Sequence, residues 1–204
     1  MGNSPRLPYL KREDMTDAQK GFYDDVVGNM GDPDLPHIWM LEDGQINGPF
    51  TSMFHYPRIG YPLYRLQLEI IKQDIIAKDV FELFILVIVA DARAAYGMYA
   101  HELLAAMNGV EKETIELIRL GKRPKIEKPE AKAAYELALA LTKPGPVAQG
   151  VYENAVEIFG EKGYNVLINT AAFFKYIATL MNAYDEPVPQ QARADGRDQG
   201  IRNC

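Results

Sequence analysis

The chain has 204 residues, 48% apolar and 25% charged, which suffices for one folded domain with a real core and excludes wholesale disorder. Lys and Arg total 22 against 28 Asp and Glu, a net charge of −6 with no basic cluster, which speaks against nucleic acid or an anionic membrane as partner. The single cysteine, Cys204, excludes an intrachain disulfide, a CxxC redox centre and a cysteine-built zinc or iron–sulfur site within one chain, and it suits a reducing, cytoplasmic compartment.

The opening MGNSPRLPYL lacks the apolar stretch of a secretory signal. Gly2 stands where myristoylation needs it, but Arg6 occupies a position where Ser or Thr is preferred. Thr16-Asp-Ala-Gln19 is a capping box that opens a helix to about Asn29. Residues 30–48 read as a long loop whose Leu35, Ile38, Trp39, Met40 and Leu41 argue for packing rather than disorder. A short helix follows Pro49, and another is expected at about 61–75, with Leu63, Leu66, Ile70 and Ile71 on one face. Asp79 is expected to cap a very apolar helix, Val80 to Ala90, whose longest apolar run falls far short of the about 20 residues a membrane span needs. Helices at about 96–108, 111–120, 129–143, 147–159 and 164–183 follow, with Gly109, Gly121, Pro144, Gly160 and Gly163 as stops. No segment keeps the alternation of a strand. The expected fold is all-α, a compact helical bundle over residues 1–189 followed by a polar, flexible tail, 190–204.

Two residues stand out chemically. Glu82 lies in a helix apolar nearly all round, where loss of water favours the neutral carboxyl and fits it for acid–base work. Its position in the first turn equally suits a carboxylate that answers the helix dipole. His101 is the one histidine inside a predicted helix, and Ala94, Gly97 and Met98 on the preceding turns leave room beside its ring. The pair is 19 residues apart, roughly 28 Å along one continuous helix, so only a chain reversal near Asp91–Ala95 can bring them together. Neither Gly nor Pro marks that reversal; Asp91 is the available cap.

A Glu opening an apolar helix, a break, and a His 19 positions later resembles the core motif of the carboxymuconolactone decarboxylase and alkylhydroperoxidase D superfamily. Asn47-Gly48-Pro49-Phe50, Phe54-His55-Tyr56-Pro57, Asn108-Gly109-Val110 and Ala183-Tyr184-Asp185-Glu186-Pro187-Val188-Pro189 resemble further stretches of that superfamily in the same order, over about residues 45–190. The resemblance implies an all-helical, homo-oligomeric protein with His101 and Glu82 as catalytic residues. The departures are informative. Ala94 and Gly97 stand where peroxidase members carry cysteines, so there is no thiolate to reduce a peroxide. Met98 stands where cysteine-free members often have Trp, while Tyr96 matches their aromatic residue.

Other substrate-binding candidates are Tyr96 or Tyr99 as hydrogen-bond donors, His37 and Trp39 in the long loop, His55 near the cavity entrance, and Arg93 or Arg65 for a substrate carboxylate. Met98 reshapes the pocket in the same reading. The histidines show no HxxxH or HExxH spacing and no nucleotide-binding glycine motif occurs, so neither metal nor cofactor is expected. The expected activity is that of a cofactor-free, decarboxylase-like lyase, a small molecule being its partner: proton transfer on a carboxylated lactone, quinone or keto acid. An isomerase or cyclase on the same site is the alternative, and a non-catalytic oligomeric binding protein is the rival. The stripe Phe173, Phe174, Ile177, Leu180 and Met181 is the expected subunit interface.

Overall fold

Thr16 and Gln19 exchange the hydrogen bonds of a capping box, backbone N of Thr16 to Oε1 of Gln19 at 2.9 Å and backbone N of Gln19 to Oγ1 of Thr16 at 3.4 Å, and so open α1, Asp17–Met30. The structure, a computed structural model, describes residues 5–30 and 35–193. Prolines at the first helical position start α2, Pro49–His55, and α3, Pro57–Ile71. Helix α3 thus begins and ends about four residues earlier than the apolar spacing suggests, and it carries Pro62 inside. Then come α4, Lys78–Asp91; α5, Ala95–Met107; α6, Lys112–Arg119; α7, Pro129–Thr142; α8, Gln149–Ala183; and α9, Gln190–Arg193. Among the described residues there is no strand, only an isolated antiparallel bridge between Met40 and Ile46 in the long loop. The expected helices at 147–159 and 164–183 are the two parts of α8, separated where expected at Gly160, whose non-helical φ of 68° and ψ of 172° suit glycine alone.

Helix α4 organises the bundle. Val80, Phe81 and every residue from Leu83 to Val89 are buried, and a helix apolar on all sides has to be surrounded. It packs against α5, α6, α7 and α8. Helix α8 is the one described helix long and apolar enough to cross a membrane, yet it packs against α2, α3, α4, α5 and α7. Its Phe173, Phe174, Ile177 and Met181 are each at most 4% exposed, so the stripe expected at a subunit interface fills the protein's own core. Of the tail expected from residue 190, Gln190–Arg193 is a helical turn with Ala192 buried, and residues 194–204, Cys204 among them, lie outside the described residues.

Two helix ends use a non-glycine residue in the left-handed region. After α4, Arg93 has φ 52°, its N–H donates to the Ala90 carbonyl, and the Ala94 N–H donates to the Val89 carbonyl. These are the paired bonds of a Schellman turn. It reverses the chain at 92–94, within the expected window, but Asp91 ends α4 instead of capping α5. After α8, Asp185 at φ 50° does the same: its N–H donates to Asn182 and that of Glu186 to Met181. That turn sends the Glu186 side chain inward, 5% exposed, to accept from the Gly48 N–H at 2.8 Å and the Tyr9 hydroxyl at 3.0 Å. Gly48, at φ 71°, lies so close to Tyr96 that a Cβ there would sit 2.4 Å from its ring.

Arg93→Val should destabilise the protein by about 1–2 kcal/mol, because a β-branched residue resists the left-handed region, whereas Arg93→Asn should cost less. Urea unfolding of the two variants checks this. Burial pushes the Glu186 carboxyl up to about 7. Between its unfolded value near 4.5 and that value the native state holds the extra proton, so stability falls as pH rises through this window. Glu186→Gln removes the titration. Its stability relative to the wild type should therefore rise between pH 5 and pH 8, by up to about 3 kcal/mol. Unfolding curves at the two pH values test the slope; a constant difference would contradict it.

Candidate functional site

The Schellman turn at Arg93 lays α5 back along α4 and brings Glu82 and His101 together. His101 Nδ1 lies 2.8 Å from Glu82 Oε2, with each side chain 13% exposed. A carboxylate accepts, so Nδ1 carries the proton and donates; the lone pair is left on Nε2. The ring of Phe174 stands edge-on to the imidazole, centroids 4.9 Å apart at 87°, and fixes its plane.

The pair borders a cavity of about 220 Å³ between α3, α4, α5 and α8. Its walls are mostly apolar: Phe81, Ile85 and Val89 from α4, Ala100 and Leu104 from α5, Ile177 and Met181 from α8. On α4, residues 82, 85 and 89 repeat at helical spacing and so share the cavity face. Gly97 leaves the wall thin; a Cβ there would meet the Met181 methyl at 3.3 Å.

His37 reaches the cavity from the long loop. It is 9% exposed, and its Nδ1 has no hydrogen-bond partner among the described residues. Burial, aided by the proximity of His101, pushes its imidazole down from 6.5 to about 4, so His37 is neutral at ordinary pH. The loop is pinned on either side of this histidine. The Ile38 N–H donates to the Tyr99 hydroxyl at 3.0 Å, and the Tyr96 hydroxyl lies 2.9 Å from the Ile38 carbonyl and 3.0 Å from Asn47 Oδ1. Tyr96 also lines the cavity with its ring; its complete burial holds the phenol well above 10. The two tyrosine hydroxyls expected to face a substrate thus hold the His37 loop instead.

The remaining candidates stand elsewhere. Met98 and Arg93 border a separate depression of about 380 Å³ between α4, α6 and α7. Trp39 is half-buried against the core, and its carbonyl accepts from the Asn47 N–H at 3.1 Å. His55 Nε2 is held 2.9 Å from the Pro8 carbonyl at the surface. Arg65 lies 3.9 Å from Asp25 on the exposed side of α3. One polar cavity residue, Gln67 on α3, escapes the sequence reading; its Oε1 is buried and unpartnered among the described residues. Its signal is weak, since a glutamine beside Leu66 and Leu68 looks like an ordinary surface position. No group of three or more potential metal ligands occurs among the described residues.

No family model and no curated protein matches the sequence. Solved structures do match it. A peroxidase-related protein with an alkylhydroperoxidase AhpD core from Ralstonia eutropha JMP134 superposes with a TM-score of 0.73 at 14% identity, over 94% of this chain and 96% of that one. The debrominase Bmp8, in complex with 2,3,4-tribromopyrrole, superposes with a TM-score of 0.70 at 14% identity, over 97% of this chain and 98% of that one. Its apo form gives 0.69 at the same 14% identity. Glu82 and His101 therefore sit in a chain with the AhpD-like all-α fold.

Proposed function

We propose that Glu82 and His101 are the proton-transfer unit of a cofactor-independent enzyme acting on a small molecule, of the decarboxylase-like lyase or isomerase class. The 2.8 Å contact between them carries this reading. The substrate must contain an electron sink, a carbonyl or conjugated enone, because without a cofactor only the substrate can hold the electron pair released at carbon. His101 Nε2 takes a proton from carbon next to that carbonyl, or as imidazolium gives one to a carbanion left by departing CO₂. Glu82 holds the ring in the working tautomer and balances the imidazolium charge. The apolar walls strengthen that electrostatic pairing by limiting the water around it.

Two observations favour this reading over a non-catalytic binding protein. The space between the helices is a cavity and not a filled core, and His37, whose buried Nδ1 has no partner among the described residues, is part of its wall. The chain shares its fold with a debrominase solved with a small ring compound, so the fold is compatible with such a role. The same reading takes the protein as a cytoplasmic homo-oligomer. Exposed Ile59, Leu66, Ile71 and Ile75, on and just after α3, are apolar positions that a second copy could cover, and light scattering would report it.

The test follows small β-keto acids, lactones and cyclic enones for CO₂ release and for uptake of deuterium from D₂O. His101→Ala should lower kcat for the compound turned over by roughly a hundredfold or more. Glu82→Gln should also reduce it, since an amide can orient the ring but cannot balance its charge. The double variant should lose little beyond the worse single one, because the two residues act as a unit. Undiminished turnover by folded His101→Ala would remove the mechanism.

A further inference from the structure

The cavity has a chemical bias that the Glu82–His101 pair alone does not reveal. Among the described residues that line it there is no Lys and no Arg. Its one full charge is the Glu82 carboxylate, and any charge on His101 is already answered by Glu82 at 2.8 Å. A carboxylate entering this space would shed its water, meet no unpaired cation and approach a like charge. Burying such an ion costs several kcal/mol. Arg93, which the sequence offers to a carboxylate, borders the other depression across α4, and Arg65 lies on the exposed side of α3 beside Asp25.

Two residues of the cavity wall carry orphaned polar atoms just beneath its surface, where a small side-chain shift would bring them to a bound molecule. His37 Nδ1 and Gln67 Oε1 are buried without partners among the described residues, and each loses a hydrogen bond for as long as the space stays empty of a matching group. His37 is more than nine-tenths buried, and its loop is pinned by the Tyr96 and Tyr99 hydroxyls, so the backbone that carries the ring is set in place in advance. A neutral imidazole beside an amide suits a hydroxyl, N–H or carbonyl of an uncharged molecule. Size points the same way. An apolar cavity of about 150 Å³ can hold benzene, so about 220 Å³ holds one six-membered ring with a substituent or two.

Resting on the reading of this cavity as the substrate site, we propose that it selects small, uncharged single-ring compounds, oriented by His37 and Gln67, and rejects carboxylates. Of the two reaction classes above this leaves the isomerase, since an uncharged ring has no carboxylate to lose. The step is a proton shift. In a β,γ-unsaturated ring ketone, His101 Nε2 takes a proton from the carbon between the carbonyl and the double bond, the C–H pair forms a new C=C as the carbonyl π pair moves onto oxygen, and the imidazolium returns the proton to the γ carbon of the dienolate as the carbonyl re-forms. Nothing is oxidised or reduced. His37 is a positioning residue here: it holds the ring's polar group and takes no part in the proton transfer.

Benzamide and benzoate test the idea, because they share a shape and differ in charge. Calorimetric titration of the full chain at pH 8 should show benzamide binding at least about tenfold more tightly than benzoate. His37→Leu should lose most of the benzamide affinity, with His37→Asn giving the same reading if the leucine variant fails to fold. Gln67→Lys, which adds a cation at the half-buried edge of the wall, should narrow or invert the preference in favour of benzoate. Benzoate binding as tightly as benzamide, neither probe binding, or selectivity untouched in both His37 and Gln67 variants would overturn the proposal. Deuterium exchange into cyclohex-2-enone, compared between wild type and His101→Ala, reports the proton-transfer reading independently. Selective binding without exchange would sink that reading and leave the cavity's preference standing.

Discussion

The protein depends on the burial of one helix. Helix α4 has no polar face to give to water, so the chain has to wrap it, and α5, α6, α7 and α8 all do so. That enclosure carries the Glu82 carboxylate inward with the helix. A carboxylate held there needs a partner, and the partner arrives by the shortest route, a reversal of a few residues that sets His101 against it. Wrapping the helix and building the pair thus rest on the same packing. A change that loosened the packing of α4 would be felt first at the 2.8 Å contact.

Around that pair the structure uses buried polar groups in two ways. Some are fully partnered and act as struts: Tyr96 to Ile38 and Asn47, Tyr99 to Ile38, Glu186 to Gly48 and Tyr9. Others, His37 Nδ1 and Gln67 Oε1, are buried in the cavity wall without partners among the described residues. The contrast matters because an orphaned polar atom is costly, and nearby groups in the same loop show that partners were within reach. The struts keep the unpartnered atoms where they are.

The helices could be read from the chain because their signals are local: a capping box at Thr16, prolines at first turns, glycines at stops. The spacing of Glu82 and His101 was equally legible, but the device that joins them was not. A Schellman turn is normally announced by glycine, and here Arg93 adopts the left-handed conformation without that mark, so Asp91 looked like the cap. Periodicity also misassigned Phe173, Phe174, Ile177 and Met181, because an apolar stripe is the same pattern whether it faces a second copy or the protein's own core. Met98 and Tyr99 adjoin Gly97 in sequence but face other neighbours, since successive residues on a helix are turned by about 100°. Gln67 was missed for a related reason: which side of α3 meets the cavity is settled by packing with α4 and α8, contacts remote in sequence.

The Glu186 clamp has a temporal consequence. Its carboxylate joins Tyr9 and Gly48, residues separated from it by 177 and 138 positions, and Arg6 adds two further bonds to the backbone at Ala183 and Tyr184. During synthesis, at about 5–20 residues per second, the early part of the chain leaves the ribosome long before residue 186 exists. Helices α4 and α5 can then pair while the wall behind Tyr96 still lacks its brace. Closure of the wall behind Tyr96 is therefore a late step, and the last described turns act as the keystone that completes it.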